Sequence, residues 1–531
     1  MQTAKFIFVT GGVMSGLGKG ITASSIAKLL QLDNYKTSCV KIDPYLNYDA
    51  GTMNPVAHGE VYVTEDGGEC DMDLGNYERF LNQDMPKSHN ITTAQVYSSV
   101  INDEREGKYL GACVQIIPHV TDEIKRRLYE IIEKEKLDIL VVECGGTVGD
   151  IESLPFLEAM RQIRFEEGMQ NSVFIHVTLA PILDVVGEQK SKPTQHSVQE
   201  LRKIGIQPDY LAVRCKESLH ENVKKKIALF SNVEEKDVLS CHDVESVFQV
   251  PQLLHKQGLT ESIFKRFKQV NNRDLKKWEE WNGITDAMTK EYKQVKIALV
   301  GKYVSLTDSY VSVNQALSHA CSSCDRMIKL DFIDSETIQD LNILAKYDGV
   351  VIPGGFGVRG FEGIINTAQY CMEKKIPYLG ICFGFQLAIV AFGRKYCNLT
   401  DGNSTEIDKN TNHKIIDILP EQNGVTDMGG SLRLGGSQIK IKTDSRAQRI
   451  YGKEIIQKRH RHRYEFNTKY DDLFTKNGMI FSGNSMDGKR MEILEITDYP
   501  FFFATQFHPE FNSRPGYPEE SFVEFIKIAS N

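Results

Sequence analysis

The chain of 531 residues is 41% hydrophobic and 25% charged, which is typical of globular proteins and long enough for roughly two to four domains. Its net charge of −8 gives no sign of the excess positive charge that nucleic-acid-binding proteins usually carry. No apolar run is long enough to cross a membrane. Its 11 cysteines lack paired spacing, and the start at Met1 has no signal-peptide core, so we expect a reduced, cytoplasmic location.

The first elements are a strand, a glycine-rich loop and a helix. Residues 6–10 are apolar and β-branched, residues 11–20 hold glycines around Lys19, and residues 21–30 have helical apolar spacing. This layout predicts a phosphate site, because glycine N–H groups, a helix N-terminus and a lysine all favour phosphate oxygens. The alternative is a tight turn with an exposed lysine.

The loop departs from the usual phosphate-binding pattern at two positions. Val13 stands where that pattern has a glycine, and Gly20 stands where it has a hydroxyl that binds Mg²⁺. Thr22 or Ser15 would therefore have to supply this hydroxyl.

Charged residues follow the next predicted strands. Residues 37–42 form a strand with Lys41 near its end, and residues 138–143 form one that ends on Glu143, at the position that usually partners a phosphate loop. Between them, residues 65–73 are rich in carboxylates. Such a run is usually a solvated loop, but after a phosphate loop it could supply Mg²⁺ ligands.

Two polar segments come after Glu143. Residues 145–152 are too polar and glycine-rich for a core, which indicates a ligand loop. Residues 187–197 contain Lys190 and Lys192, which could bind a second polyanion or could be plain surface charge. Strands predicted at 172–179, 210–214 and 238–240 alternate with helices, which favours a doubly wound parallel sheet.

These segments resemble the synthetase domain of the CTP synthase family. The resemblance rests on residues 9–20, 41–44, 60–67, 145–153 and 192–197, and Gly20 is itself part of that family's loop. It covers nearly all of residues 1–270.

Residues 269–294 are charged, contain both tryptophans and predict a linker with a helical turn. A new strand at 295–301 starts a second sheet, and residues 349–357 run from a strand into a glycine loop that can direct N–H groups at an oxyanion. We therefore expect a synthetase (amidoligase) domain at 1–270, a linker at 271–292 and a second domain at 293–531.

Cys382 lies in a Gly-x-Cys-x-Gly segment between a predicted strand and helix, which is typical of a nucleophile elbow. The helix start favours a thiolate, although a buried cysteine that only packs is the alternative. His508 and Glu510 follow a strand at 501–506 and suit a base with an orienting carboxylate. Cys321 and Cys324 have no second pair and are interpreted as structural.

The second half resembles the class I glutamine amidotransferases over about 293–531. The resemblance implies that Cys382, His508 and Glu510 are catalytic. It also implies glutamine-binding residues, namely Gly355, Phe383, Gln386, Glu406 and Arg463. The run of arginines and histidines at 459–463 could alternatively be a nucleic-acid patch, which the net negative charge disfavours.

Together the resemblances imply an α/β protein with two doubly wound, mainly parallel sheets, a P-loop NTPase-like (Rossmann-like) domain and a class I glutaminase domain. They imply a ligase in which ATP phosphorylates the 4-oxygen of UTP and ammonia from glutamine displaces phosphate. The implied ATP-binding residues are Ser15, Gly16, Leu17, Gly18, Lys19, Gly20, Ile21, Lys41 and Asp73. The implied UTP- or CTP-binding residues are Ser15, His119, Asp150, Ile151, Glu152, Lys190, Lys192, Gln195 and Lys226.

The resemblance also places Mg²⁺ on Asp71 and Glu143. It implies GTP as an allosteric activator, CTP as a feedback inhibitor and a homotetramer that can form filaments, with no nucleic-acid or membrane partner.

Two other hypotheses stay open at this point. The chain could be another glutamine-dependent ATP amidoligase that acts on a carboxylate, although the loops around Asp150 and Lys190 favour a nucleotide. It could also be a non-enzymatic P-loop scaffold ATPase fused to an inert domain, although the intact Cys, His and Glu set argues against this.

Overall fold

The computed structural model describes residues 5–183, 187–419 and 430–531. Its Cα atoms pack into two compact units. The first unit takes the chain up to Tyr48 and then Asn76–Thr289, and the second takes Asp49–Gly75 and Lys290–Asn531. The predicted domain boundaries at 270 and 293 stay a prediction. Residues 1–4, where the sequence lacks a signal-peptide core, lie outside the described residues.

The strands are numbered in chain order. They are β1 Lys5–Gly11, β2 Thr37–Asp43, β3 Val61–Val63, β4 Glu69–Asp71, β5 Asn90–Thr92, β6 Ile139–Cys144, β7 Ser172–Leu179, β8 Ile182–Leu183, β9 Glu188–Gln189, β10 Tyr210–Cys215, β11 Val238–His242, β12 Lys293–Gly301, β13 Arg326–Asp334, β14 Gly349–Ile352, β15 Tyr378–Ile381, β16 Asn403–Ser404, β17 Lys414–Ile418, β18 Arg433–Ile441, β19 Ile455–His462, β20 Tyr464–Phe466, β21 Met479–Ser485, β22 Met491–Ile496 and β23 Phe502–Thr505.

The α-helices are numbered in the same way. They are α1 Lys19–Leu32, α2 Pro55–His58, α3 Asp73–Leu81, α4 Thr93–Arg105, α5 Thr121–Glu135, α6 Leu154–Glu167, α7 Lys192–Lys203, α8 Glu221–Ser231, α9 Val250–Lys256, α10 Leu259–Phe267, α11 Leu275–Thr289, α12 Val311–Ser323, α13 Phe361–Lys374, α14 Phe383–Tyr396, α15 Arg446–Tyr451, α16 Asp471–Lys476 and α17 Glu520–Ala529.

The first unit is built on a parallel sheet with the strand order β11-β10-β7-β1-β6-β2-β5. Every residue of β1 is buried, as expected for a central strand covered by helices on both faces. From β1 the chain forms β2 and β5 on one side, returns to place β6 between β1 and β2, and then crosses to the other side, where β7, β10 and β11 follow outward. Strand order therefore reverses at β1, and ligands of such sheets bind at the carboxyl ends of the strands there.

The second unit is built on a mixed sheet with the order β13-β12-β14-β15-β23-β22-β21-β18-β19. The strands from β13 to β23 pair in parallel, and those from β23 to β19 pair antiparallel. Apolar clusters cover this sheet, one of them around α13 and α14 and another around α12 and α17. The predicted α/β class with two doubly wound sheets is confirmed, and the second sheet carries an antiparallel extension.

The charged segment after residue 269 carries the 15-residue helix α11, which is longer than the predicted helical turn. Its tryptophans are buried within the first unit. Trp278 donates through Nε1 to Asp33 Oδ1 at 3.1 Å, and the Trp281 ring lies 6.0 Å from Phe80 and 6.1 Å from Phe248. The aromatic contacts, which a charge pattern does not reveal, hold this helix on the sheet domain.

Among the described residues, no helix combines the length and the apolar character needed to span a bilayer. All 11 cysteines are free thiols, and Cys321 and Cys324 lie in and directly after α12, as the structural interpretation of this pair requires.

Candidate active sites

The phosphate loop follows β1, at the point where strand order reverses. The backbone of this loop takes positive φ at Val13 (77°), Gly16 (76°) and Gly18 (84°), and α1 begins directly after Gly18. A Cβ at Gly16 or Gly18 would meet nothing within 4 Å, so the left-handed conformation and not lack of space favours glycine. The N–H groups at the start of α1 are therefore presented as an anion site.

Lys19 is the first residue of α1 and is only 8% exposed. Its Nζ donates to the carbonyl oxygen of Gly146 at 2.9 Å, so the loop after β6 holds the ammonium group. The aliphatic part of the Lys19 side chain packs against Gly11, where a Cβ would lie only 2.4 Å from Lys19 Cδ. The alternative of an exposed lysine in a plain turn is therefore wrong.

Lys41 and Glu143 meet on the same edge of the sheet. They are register partners in β2 and β6, and Lys41 Nζ lies 3.1 Å from Glu143 Oε1. The hydroxyl of Tyr77 donates to the other oxygen of Glu143. Glu143 is also the register partner of Val9 in β1, which places this buried ion pair beside the phosphate loop.

His176, in β7, is a residue that the sequence analysis missed. Its Nδ1 lies 2.9 Å from Thr10 Oγ1 and its Nε2 lies 2.7 Å from Ser197 Oγ, so the ring joins β1 to α7. Burial, assisted by the charge of Lys19, lowers the pKa of His176 to about 3, and the ring is neutral near pH 7. A histidine in the middle of an otherwise apolar predicted strand was the only available signal.

Helix α7 also carries residues proposed for the second nucleotide. Lys192 begins the helix, Gln195 donates to Ser191 Oγ at 2.9 Å, and Lys190 Nζ lies 2.6 Å from Glu188 Oε2. The hydrogen bond and charge of Lys190, and then the charge of Lys226, lower the pKa of Glu188. Lys190 and Lys226 therefore lie near one exposed carboxylate, which an anionic ligand could replace.

The remaining candidates for that nucleotide lie in two other loops. Asp150 Oδ2 accepts from the Thr147 N–H at 3.0 Å, and Ile151 and Glu152 next to it are exposed. His119 precedes α5, and its Nδ1 accepts from the Gln115 N–H at 3.0 Å. Within the described chain, no hydrogen bond or ion pair joins His119 to Asp150 or to the lysines.

Cys382 forms a nucleophile elbow, as predicted. It stands between the end of β15 and the start of α14 with φ 49° and ψ −93°, a strained conformation for a residue with a side chain. A Cβ on Gly384 would lie 2.4 Å from the Ile352 carbonyl oxygen, and one on Gly380 would lie 2.9 Å from Ala504 Cβ. Both flanking positions therefore require glycine.

His508 and Glu510 complete the predicted set. His508 Nδ1 lies 2.7 Å from Glu510 Oε1, and among the described residues His508 Nε2 has no hydrogen-bond partner at ordinary distance. Burial alone would lower the pKa of His508, but the charges of Glu510 and Cys382 outweigh it and raise this pKa to about 10. These charges favour an imidazolium, and the ring and Cys382 line the same cavity.

Two of the predicted glutamine residues line a cleft that adjoins the cavity of Cys382. Glu406 and Arg463 lie in its wall, and Glu406 Oε1 accepts from the Gly357 N–H at 2.6 Å. Burial raises the pKa of Glu406, and the hydrogen bond from Gly357 and the charges of Lys302 and Arg463 oppose this shift. A carboxylate and a guanidinium in one cleft suit the two charged groups of an α-amino acid.

Gly355, Phe383 and Gln386 lie at the catalytic end. Gly355 lines the cavity that contains Cys382 and His508, and Phe383 is the first residue of α14. Gln386 Nε2 donates to the Tyr464 carbonyl oxygen at 2.8 Å. The N–H groups of Gly355 and Phe383 are candidates for an oxyanion hole.

Lys302, directly after β12, is a second residue that the sequence did not indicate. Its Nζ donates to the carbonyl oxygens of Phe356, at 2.9 Å, and Gly357, and lies 3.9 Å from the centre of the Phe383 ring. Burial lowers the pKa of Lys302 to about 8, against the charge of Glu406. Lys302 therefore holds the glycine loop that faces Cys382.

Comparison with known proteins matches both halves of the chain. The model of the CTP synthase N-terminus matches residues 5–269, and the model of class I glutamine amidotransferases matches residues 305–528. The CTP synthase of Pyrococcus abyssi is 53% identical over 533 residues, and that of Pyrococcus furiosus is 52% identical over 529 residues. Each alignment covers 99% of this chain and 98% of the relative.

Among solved structures, the glutaminase domain of Trypanosoma brucei CTPS with bound acivicin is 34% identical to the matched part. The match covers 44% of this chain and 94% of that one, with a TM-score of 0.42.

We expect His176→Phe to weaken ATP binding about tenfold, because it breaks both hydrogen bonds behind the phosphate loop and leaves two buried hydroxyls unpaired. Titration calorimetry with ATP measures this, and His176→Gln, which can still bridge, should lose less. A His176→Phe protein that binds ATP like the wild type would rule out a role in the site.

Proposed function

Because the chain belongs to the CTP synthase family, and so makes CTP from UTP with ATP and glutamine, we propose that its two compact units carry the two halves of this reaction. The observation that carries the proposal is that one chain contains both a phosphate loop with a buried lysine and a Cys–His–Glu set on a nucleophile elbow. The comparisons do not favour a carboxylate amidoligase or a scaffold ATPase.

In the second unit, Cys382 attacks the side-chain amide carbon of glutamine. The imidazolium of His508 gives its proton to the departing nitrogen, so the nitrogen leaves as neutral ammonia and a glutamyl thioester stays on the sulfur. His508 then takes a proton from water, which hydrolyses the thioester to glutamate. Glu510 keeps the ring oriented through its 2.7 Å contact with Nδ1.

The substrate is held at both ends in this proposal. Glu406 binds its ammonium group and Arg463 its α-carboxylate, while Gln386 lies beside the reacting side chain. The N–H groups of Gly355 and Phe383 stabilise the negative oxygen of the tetrahedral intermediate. The buried position of Glu406 and its shared cleft with Arg463 support this orientation.

In the first unit, the 4-oxygen of UTP attacks the γ-phosphorus of ATP, and ADP leaves. Ammonia then attacks carbon 4, the phosphate departs with the oxygen, and loss of a proton gives CTP. Lys19 stabilises the charge of the transferred phosphoryl group, and residues 15–21 supply the N–H groups around it, with Lys41 and Asp73 near the phosphates. For UTP we propose Ser15, His119, Asp150, Ile151, Glu152, Lys190, Lys192, Gln195 and Lys226.

We propose Mg²⁺ as the metal, on Asp71 and Glu143. In the described residues, no three His, Cys, Asp or Glu side chains are grouped to hold a metal, so phosphate oxygens and water would supply most ligands, as Mg²⁺ prefers. When bound, the ion neutralises charge on the phosphates. Thr22 Oγ1 donates to the Gly18 carbonyl oxygen at 2.9 Å, whereas Ser15 is exposed, so Ser15 is the better hydroxyl candidate.

Regulation and assembly are proposals that rest on the family resemblance. They are activation by GTP, feedback inhibition by CTP, a homotetramer and its filaments. Arg359 lines the cleft that contains Glu406 and donates to the Lys302 carbonyl oxygen, which makes it a candidate for a response to GTP. A cytoplasmic location stays a prediction, and the free thiols are consistent with it.

Cys382→Ala should lower CTP formation from glutamine by at least about 10³-fold, because no other group can form the thioester. The same variant should keep its activity with added ammonia, which bypasses the thiol. The assay is absorbance of CTP formed from UTP and ATP with either nitrogen source. Loss of both activities in a folded variant would contradict the division into two sites.

Lys19→Ala should lower CTP formation by at least about 10²-fold with either nitrogen source, because the loss of one preorganised charge destabilises the phosphoryl-transfer transition state. Lys28→Ala, in the same helix, serves as the matched control. Substantial ammonia-supported turnover by the Lys19 variant would refute the role of this lysine.

A further inference from the structure

Strand β19 supports the catalytic centre of the second unit through its backbone. The carbonyl oxygen of Arg459 accepts from the His508 N–H at 2.8 Å, and the carbonyl oxygen of Arg461 lies 3.5 Å from Cys382 Sγ. Two residues of one strand thus contact both the proposed base and the proposed nucleophile, and the position of this strand affects both.

The side chains of the same two arginines are held by carboxylates from Asp49–Gly75. Arg459 Nε lies 3.1 Å from Glu65 Oε2, and the Arg459 side chain is completely buried. Arg461 Nε lies 2.8 Å from Glu69 Oε1, and Arg461 also donates to the Gly51 carbonyl oxygen at 3.0 Å. Because a buried guanidinium is costly without a partner, these carboxylates fix where the arginines lie.

The site for Glu65 is built into the neighbouring strand β18. The Gly436 N–H donates to the Glu65 carbonyl oxygen at 2.9 Å, and a Cβ on Gly436 would lie 1.7 Å from Glu65 Oε1. Gly435 has φ 81°, and a Cβ there would lie 2.7 Å from the Gly67 nitrogen. The two adjacent glycines therefore let the backbone and side chain of residues 65–67 pack directly against β18. A side chain at either glycine would prevent this contact.

Asp49–Gly75 belongs in sequence to the part that matches the CTP synthase N-terminus, yet it packs with the glutaminase sheet. We propose that Glu65 and Glu69 are positioning residues of the glutaminase centre, which act through Arg459 and Arg461 on His508 and Cys382. Glutamine hydrolysis then depends on carboxylates that the synthetase half of the sequence provides. This inference rests on the proposed roles of Cys382 and His508.

The test compares Glu69→Gln, Glu65→Gln and Gly436→Ala in the full chain, with Glu362→Gln as the matched control. Glu362 forms an ion pair with Arg394 at 2.9 Å in the same unit, without contact to β19 in the described residues. The measurements are kcat and KM for glutamine, turnover with added ammonia, and the pH profile of Cys382 alkylation by iodoacetamide, located by peptide mass spectrometry.

We expect each of the three variants to lose about tenfold in kcat with glutamine, because small displacements of catalytic groups are costly. The KM for glutamine and the turnover with ammonia should change less than about twofold, since Glu406, Arg463 and the phosphate loop are untouched. Alkylation of Cys382 near pH 7 should slow and should rise more steeply with pH. Glu69→Asp, which keeps the charge, should recover part of the rate.

Unchanged glutamine turnover, or an equal fall of both activities, would overturn the inference, because the second result indicates general destabilisation. If Glu69→Gln fails to fold, Gly436→Ala decides by the same criteria. If Cys382→Ala itself keeps glutamine turnover, the proposed function fails, and that result is separate from any result on Glu69.

Discussion

Ammonia can attack a pyrimidine carbon only while its lone pair is free, and in neutral water most of it is protonated. A chain that aminates UTP therefore gains from releasing nitrogen inside the protein. In the proposed function the elbow at Cys382 serves this need, because the imidazolium of His508 can give one proton to the departing nitrogen. The strained φ of 49° at Cys382 and the half-buried glycine loop at 354–356, which lines the same cavity, are in place before substrate binds.

The packing of the chain mixes the two halves of the sequence. Asp49–Gly75 belongs to the second unit and packs with its mixed sheet, where Glu65 and Glu69 form ion pairs with Arg459 and Arg461 of β19. The same strand faces the other way through His460, whose Nε2 lies 2.9 Å from Glu492 Oε2. The alternation of a β-strand thus explains the run of arginines and histidines without nucleic acid.

Local requirements made much of this protein predictable. A phosphate loop, a strand-end carboxylate and a nucleophile elbow each need particular residues at close spacing, so the pattern alone predicts where Lys19, Glu143 and Cys382 lie in the fold. Roles that depend on distant partners could not be found. His176 is placed by its contacts with Thr10 and Ser197. The carboxylate run at 65–73, considered either a solvated loop or a source of Mg²⁺ ligands, includes two residues that pair with arginines about 390 positions away in the sequence.

The most direct test of the account follows the nitrogen atom itself. Glutamine labelled with ¹⁵N in its side-chain amide is supplied with UTP and ATP in an excess of unlabelled ammonium, and the 4-amino group of CTP is analysed by mass spectrometry. The account predicts that the fraction of ¹⁵N in the 4-amino group of CTP is far higher than its fraction in the bulk ammonium. The reason is that nitrogen released from glutamine reaches UTP before it mixes with solvent. Label diluted to the proportion in the bulk solution would contradict it.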